Sequence, residues 1–375
     1  MKKTILATAL AVLTFASLAA GKELSDLQKN FFVSEGGKLV VSVSVGDIQV
    51  KTWDKAQVQI TVKDIGEDAD RVETNQSGNT IDVRFKVHGW WGDNRNLRFI
   101  FYIPSNFNLD LSTSGGDIIT DGQLTGDVRL STSGGDLKIS EVNGVVDGKT
   151  SGGDVIANDL EKNATLTTSG GDIRVDHAAN DLRIETSGGD IVVGAVGKNL
   201  DATTAGGDIT IEKVGGNLRA STSSGDMSVG RISGSVDIST SGGDISLASG
   251  NGRISANTSG GDVEITSAIG SVDVSSSGGT VKVGLIPKGN QESRVESSGG
   301  DVYLYVPSDA KASIKAEVSG SDDNEIISDF PVTYNKSNGN SNESGEINLN
   351  GGGQEIYLHT SGGNVYIKEL SSLSK

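Results

Sequence analysis

The side chains whose type and spacing could do chemistry form one column of aspartates. They stand at Asp117, Asp136, Asp154, Asp172, Asp190, Asp208, Asp226, Asp244 and Asp262. Thr280 and Asp301 continue the series, and Asn364 closes a last copy. From Asp136 to Thr280 the spacing is 18 residues at every step. Each Asp stands in a copy of one short phrase, Thr186-Ser187-Gly188-Gly189-Asp190-Ile191 being typical. Carboxylates brought into register lie ~5 Å apart and repel by ~1 kcal/mol per pair in water. Something must offset that repulsion. One solution is structural: each Asp accepts hydrogen bonds from turn N–H groups and from the serine hydroxyl at position −3, as at Ser133, Ser151 and Ser187. The other is calcium held between rungs, as in β-rolls, whose nonapeptide repeats also total 18 residues per coil. Those repeats carry glycine-aspartate turns on both edges. Here only one edge shows the Asp column, so no metal site is expected and the structural reading leads.

No catalytic constellation accompanies the column. His88, His177 and His359 are far apart, and no cysteine is present. Scattered histidines give no zinc-ligand spacing. Outward positions of the repeat vary from copy to copy without a paired acid and base. The expectation is a non-enzymatic chain with no cofactor; a polysaccharide-active β-helix enzyme is the weaker alternative.

A fixed short period means one supersecondary unit stacked on itself. With the Asp as position zero, +1 is apolar in every copy (Ile173, Ile191, Ile209), and +3 in most (Val175, Val193, Ile211). Positions −8 and −6 are apolar too, as in Leu182/Ile184 and Val236/Ile238. Apolar residues therefore alternate on both sides of the Gly-Gly, the signature of two strands with one buried face each. The expected fold is all-β: a single-chain β-solenoid of about 18-residue, two-strand rungs with degenerate N- and C-terminal caps. At ~4.8 Å per rung, the nine steps from Asp117 to Thr280 span roughly 43 Å. Glycine is expected at both corners, including Gly144, Gly216, Gly234, Gly252 and Gly270, because it takes positive φ without a Cβ penalty. Position −4 is Thr from Thr113 through Thr258, so threonine hydroxyls can bond along the ladder. Position −7 reads Arg183, Asp201, Arg219, Asp237, opposite charges on successive rungs.

Four segments follow. Residues 1–20 read as a secretory signal: Lys2 and Lys3, then an apolar run too short for a membrane span, then small residues. Residues 21–110 read as a strand-rich cap with irregular coils, 111–306 as the regular solenoid, and 307–375 as irregular coils with a C-terminal cap. Within the N-terminal segment, Trp90 and Trp91 sit between glycines in an aromatic-poor chain. They are either part of a cap over the thin core or an exposed platform on which sugar rings stack. The net charge of −17 excludes a nucleic-acid partner, which needs a basic surface. No second apolar run could anchor the chain after signal cleavage. A glycan or an envelope protein remains as the expected partner, and the periplasm or cell surface as the location.

Gly46-Asp47-Ile48, Thr52-Trp53-Asp54, the strands ending at Pro104 and Pro307, the repeated Thr-Ser-Gly-Gly-Asp-Ile and the closing Thr360–Ile367 occur in a definite order. This combination resembles a bacterial adhesin-like domain family of unknown function, over nearly the whole chain after the signal. The resemblance implies an exported all-β solenoid and supplies no catalytic residues to carry over.

Overall fold

The computed structural model describes residues 26–86, 97–320, 324–336 and 343–372. One rung shows how the sequence makes the fold. Leu182–Glu185 is a four-residue strand, the Thr186–Asp190 phrase turns the corner, and Ile191–Val196 is a six-residue strand. The next rung repeats this at Leu200–Thr203 and Ile209–Val214. The two rungs pair in parallel and in register, Leu182 opposite Leu200 and Ile191 opposite Ile209. The short strands stack into one sheet and the longer strands into another, with the core between them.

Positions −8, −6, +1 and +3 face inward: Leu182, Ile184, Ile191 and Val193 are all buried. Position +6 is buried as well, at Val196, Val214 and Ile232, which strict alternation does not predict. Two consecutive outward residues at +4 and +5 are the reason. Ladder pairing skips +4, joining Val193 to Ile211 and then Ala195 to Lys213. The irregularity bends the strand and returns +6 to the core, as a bulge does. A regular rung such as that of Asp190 thus buries five apolar side chains, and its position −4 threonine, Thr186, as well.

The stacking order departs from the chain order at both ends. The first coil, Gly37–Val43 with Asp47–Trp53, does not end the stack. Thr80–Phe85 and Arg98–Pro104 pair on its outer side, and Phe107–Ser112 and Ile118–Thr125 on its inner side. At the other end, the last coil, Gln354–Thr360 with Val365–Glu369, is inserted between two earlier coils. One is Ser293–Ser297 with Val302–Val306; the other is Ala312–Val318 with Ile326–Ser328. At either end, the outermost coil is therefore an internal segment of the chain, tied down on both sides.

Antiparallel strands then cover the exposed edges, which would otherwise template pairing with another chain. Gln57–Lys63 and Leu27–Phe32 close one sheet at the N-terminal end, and Glu73–Ser77 closes the other. The Lys29 ammonium joins the two by donating to the Val72 carbonyl at 3.1 Å and the Thr74 hydroxyl at 3.1 Å. Burial there pulls its pKa below the usual lysine value. Phe85, Phe99, Phe101 and Phe107 are fully buried and fill this wider end. At the C-terminal end, Glu343–Leu349 pairs antiparallel with Ala312–Val318 and carries Thr333–Lys336 on its far side.

Two carboxylates fasten the inserted C-terminal coil. Glu317 accepts from Lys315 at 2.9 Å and from the Tyr357 hydroxyl at 2.8 Å, which together hold its pKa below the ordinary value. Asp329 accepts from the Glu369 backbone N–H at 3.1 Å and from Lys368 at 3.1 Å, with the same effect. A depressed carboxylate pKa adds stability that is complete above the unfolded-state value and is lost as pH falls through the folded-state value. Acidification from pH 7 to pH 3 should therefore loosen the Ile326–Ser328 and Val365–Glu369 pairing before the central rungs. Hydrogen exchange against pH measures this; uniform loss of protection along the solenoid would contradict it.

Candidate functional site: two side-chain ladders and an axial groove

At the Gly-Gly corner the turn is held by three interactions repeated on each regular rung. Thr186 Oγ1 donates to the Gly171 carbonyl of the preceding rung at 2.9 Å and accepts from its own turn's Gly189 N–H at 3.4 Å. The threonines thus bond to glycine backbone, not to one another. Asp190 Oδ1 accepts the backbone N–H of Asp208, one rung on, at 2.8 Å. The same bond runs from Asp47 through Asp117, Asp136, Asp154, Asp172, Asp208, Asp226, Asp244 and Asp262 to the N–H of Thr280. It lapses at Thr280 and resumes from Asp301 to Asn364 and from Asn364 to Glu325. The donor is the next rung's N–H, so the expected serine donation from position −3 is corrected: Ser133, Ser151 and Ser187 point to solvent.

The glycines at the corners are selected by contact more than by φ. Neither Gly188 nor Gly189 has a positive φ, and of Gly144, Gly216, Gly234, Gly252 and Gly270 at the second corner only Gly252 and Gly270 do. Gly189 is required by contact instead. A Cβ there would lie 2.1 Å from the Gly171 carbonyl oxygen, whereas one on Gly188 would meet nothing nearer than 3.5 Å.

Asp190→Asn keeps the accepting oxygen and removes one charge, so it should leave stability within about 0.5 kcal/mol. Asp190→Ala leaves the Asp208 N–H unmatched and should cost ~1 kcal/mol. Thermal unfolding of both variants, with EDTA and with added calcium, checks this. A Tm that climbs many degrees with calcium in the wild type would overturn the structural account of the column.

The opposite corner carries a second ladder. At position −9, Asn108 Oδ1 accepts the Asp127 N–H at 2.9 Å, and Asp127 accepts that of Val145 at 3.0 Å. Further along, Asp181 accepts from Asn199, Asn199 from Asn217, and Asn217 from Ser235. The second edge therefore carries a mixed ladder, in which Asp127 and Asp181 are interspersed with neutral asparagines, while the continuous Asp column stands on the first edge alone. The signal was present in the sequence at the same 18-residue step, diluted by Val145 and by mixing Asn with Asp. On both edges one side-chain oxygen already takes a backbone N–H. Among the described residues no cluster of three or more His, Cys, Asp or Glu side chains forms a metal-binding group.

Beside the second ladder runs a groove of about 780 Å³, parallel to the stacking axis and crossing six rungs. One wall is the position −9 column: Asn163, Asp181, Asn199, Asn217, then Ser235 and Arg253. The other is the position −7 column from Thr165 to Ser255, which includes the charge-alternating run. Arg183 pairs with Asp201 at 2.8 Å, while Arg219 reaches Asp237 only at 3.9 Å and stays 75% exposed. Such exposed pairs add little stability. Their geometry leaves hydrogen-bonding capacity facing the groove. Sequence reasoning saw the alternating charges but not the concavity beside them.

The remaining sequence candidates do not converge. Trp90, Trp91 and His88 lie outside the described residues. His177 Nδ1 sits 2.6 Å from Asp159 on one sheet, and His359 lies on the other sheet within 3.2 Å of the Ser361 hydroxyl. Tyr303 and Tyr366 stack face to face at 4.3 Å, so their facing ring surfaces are occupied by each other.

The Toastrack DUF4097 family profile matches residues 37–248 and 198–368. No curated protein matches the chain. Three solved structures align over most of it. A candidate cell adhesion protein from Clostridium sporogenes shares 8% identity at a TM-score of 0.17, over 92% of this chain and 100% of its own. A candidate adhesin from Bacteroides fragilis shares 12% at 0.27, over 92% and 98%. One from Parabacteroides distasonis shares 15% at 0.29, over 73% and 97%.

Proposed function

Because the chain belongs to the Toastrack DUF4097 family, we propose that it is an exported, non-enzymatic adhesin-like or scaffold module of the bacterial cell envelope. The observation that carries this reading is the axial groove crossing six rungs. Stacked repeats make extended concave surfaces on which one elongated ligand meets many equivalent positions, each adding a weak contact. Such a surface suits holding a polymer or a neighbouring envelope component better than it suits chemistry, which needs unlike groups converging on one point. The signal-like residues 1–20 support export to the periplasm or surface. The partner is an envelope protein or a glycan, and the acidic surface disfavours nucleic acid.

Expression in a Gram-negative host with fractionation, followed by co-sedimentation of the purified chain with isolated envelopes, tests the proposal. A processed N-terminus, an extracytoplasmic location and co-sedimentation are expected. An unprocessed cytoplasmic chain, or one that stays in the supernatant, would sink it.

A further inference from the structure

We infer that the axial groove binds an uncharged linear polysaccharide lying along the solenoid axis. The inference rests on the adhesin-like reading and names the ligand class for its site.

The lining decides among polymers. Asp181, Asp201 and Asp237 are equalled in number by Arg183, Arg219 and Arg253, so the lining carries no net charge. Like charges on the position −7 wall recur every second rung, ~10 Å apart. A polyanion laid along the axis meets a carboxylate as often as a guanidinium, on a chain whose net charge is −17. A polyhydroxyl chain has no such conflict, because each hydroxyl both donates and accepts. It can accept from an arginine or amide on one rung and donate to an aspartate on the next. Unspent donors are in place: Asn163 Nδ2 and Asn217 Nδ2 make no hydrogen bond among the described residues, and Arg219 holds its partner only loosely.

An extended peptide fits less well. Strand addition needs an unpaired sheet edge. Every strand along the groove is already paired on both sides, Leu182–Glu185 to Ala164–Thr167 and Leu200–Thr203 for example. A docked amphipathic helix needs an apolar trough. The apolar side chains beneath this groove, Leu182, Leu200, Leu218 and Val236, are buried in the core.

The test is affinity electrophoresis of the full chain in gels containing hydroxyethylcellulose, galactomannan or polygalacturonate. Retardation by at least one neutral polymer is expected, with polygalacturonate weaker. The double variant Arg183→Ala/Arg219→Ala should weaken that binding about tenfold or more, by loss of charged donors. Arg129→Ala removes an arginine of the same column outside the groove, paired with Asp147 at 3.0 Å, and should leave binding unchanged. Circular dichroism melting confirms that each variant is folded. The inference is overturned if no neutral polymer retards the chain, if polygalacturonate retards it more strongly, or if the double variant binds as the wild type does. Envelope co-sedimentation without retardation by a neutral polymer sinks this inference alone; loss of both sinks the adhesin-like reading as well.

Discussion

Deletion of residues 354–375 should unfold far more than the residues removed. In a solenoid stacked strictly in chain order, loss of the last coil would bare the coil before it and leave the rest intact. Here the last coil lies between Ser293–Val306 and Ala312–Ser328. Its removal takes away Ile356, Leu358, Val365 and Ile367, all buried. At ~1.5–3 kcal/mol for each buried apolar side chain, these four contribute roughly 6–12 kcal/mol. The outer coil cannot simply slide inward to replace them. Its inward residues Ala312 and Ala316 are smaller than the Gln354 and Leu358 opposite them, only Ile314 matching its partner Ile356, and re-docking would leave cavities. The antiparallel Glu343–Leu349 strand depends on the same coil. Hydrogen exchange of the truncated chain should show Ala312–Leu349 unprotected, while Leu137–Ser276 keeps its protection. Full protection of Ala312–Leu349 after truncation would show that the inserted coil does not hold the cap.

Gly189→Ala should cost about 3 kcal/mol or more, whereas Gly188→Ala should stay within about 0.5 kcal/mol. The residues are adjacent and identical, and neither has a positive φ. Only the distance to the rung below separates them. A Cβ on Gly189 meets the Gly171 carbonyl oxygen at 2.1 Å and Asp172 Oδ1 at 2.6 Å. The first is backbone and the second is committed to the Asp190 N–H, so neither can move without breaking the ladder. The chain itself hints at the tolerance of the other position: Ser224 occupies the place of Gly188 in its rung, and no rung from Asp117 to Asp262 replaces the place of Gly189. Urea unfolding of the two variants measures the difference. Equal stabilities would refute the steric account of the corner.

The sequence by itself determined the rung. Its 18-residue period, the apolar residues at −8, −6, +1 and +3, and the Thr and Asp columns specify two strands and a corner, because in-register stacking is the arrangement that buries every copy of the pattern. It also determined the alternation of charge along position −7, which in-register stacking converts into neighbouring opposite charges.

Tertiary structure decided what depends on the distance between rungs. Why Gly189 cannot carry a side chain, which N–H each Asp accepts, and why Ser187 stays in solvent all involve atoms of the neighbouring rung. The buried +6 position depends on a ladder irregularity that strand alternation does not encode. The second Asx ladder was legible only in part, since Val145 breaks the column and Asn and Asp share it. The groove lies between the −9 and −7 columns of six rungs, and no single residue announces it. The order of the end coils lay furthest from the sequence. A degenerate coil carries the same inward apolar pattern wherever it is inserted, so local chemistry cannot choose its neighbours, and only the packing of the whole stack does.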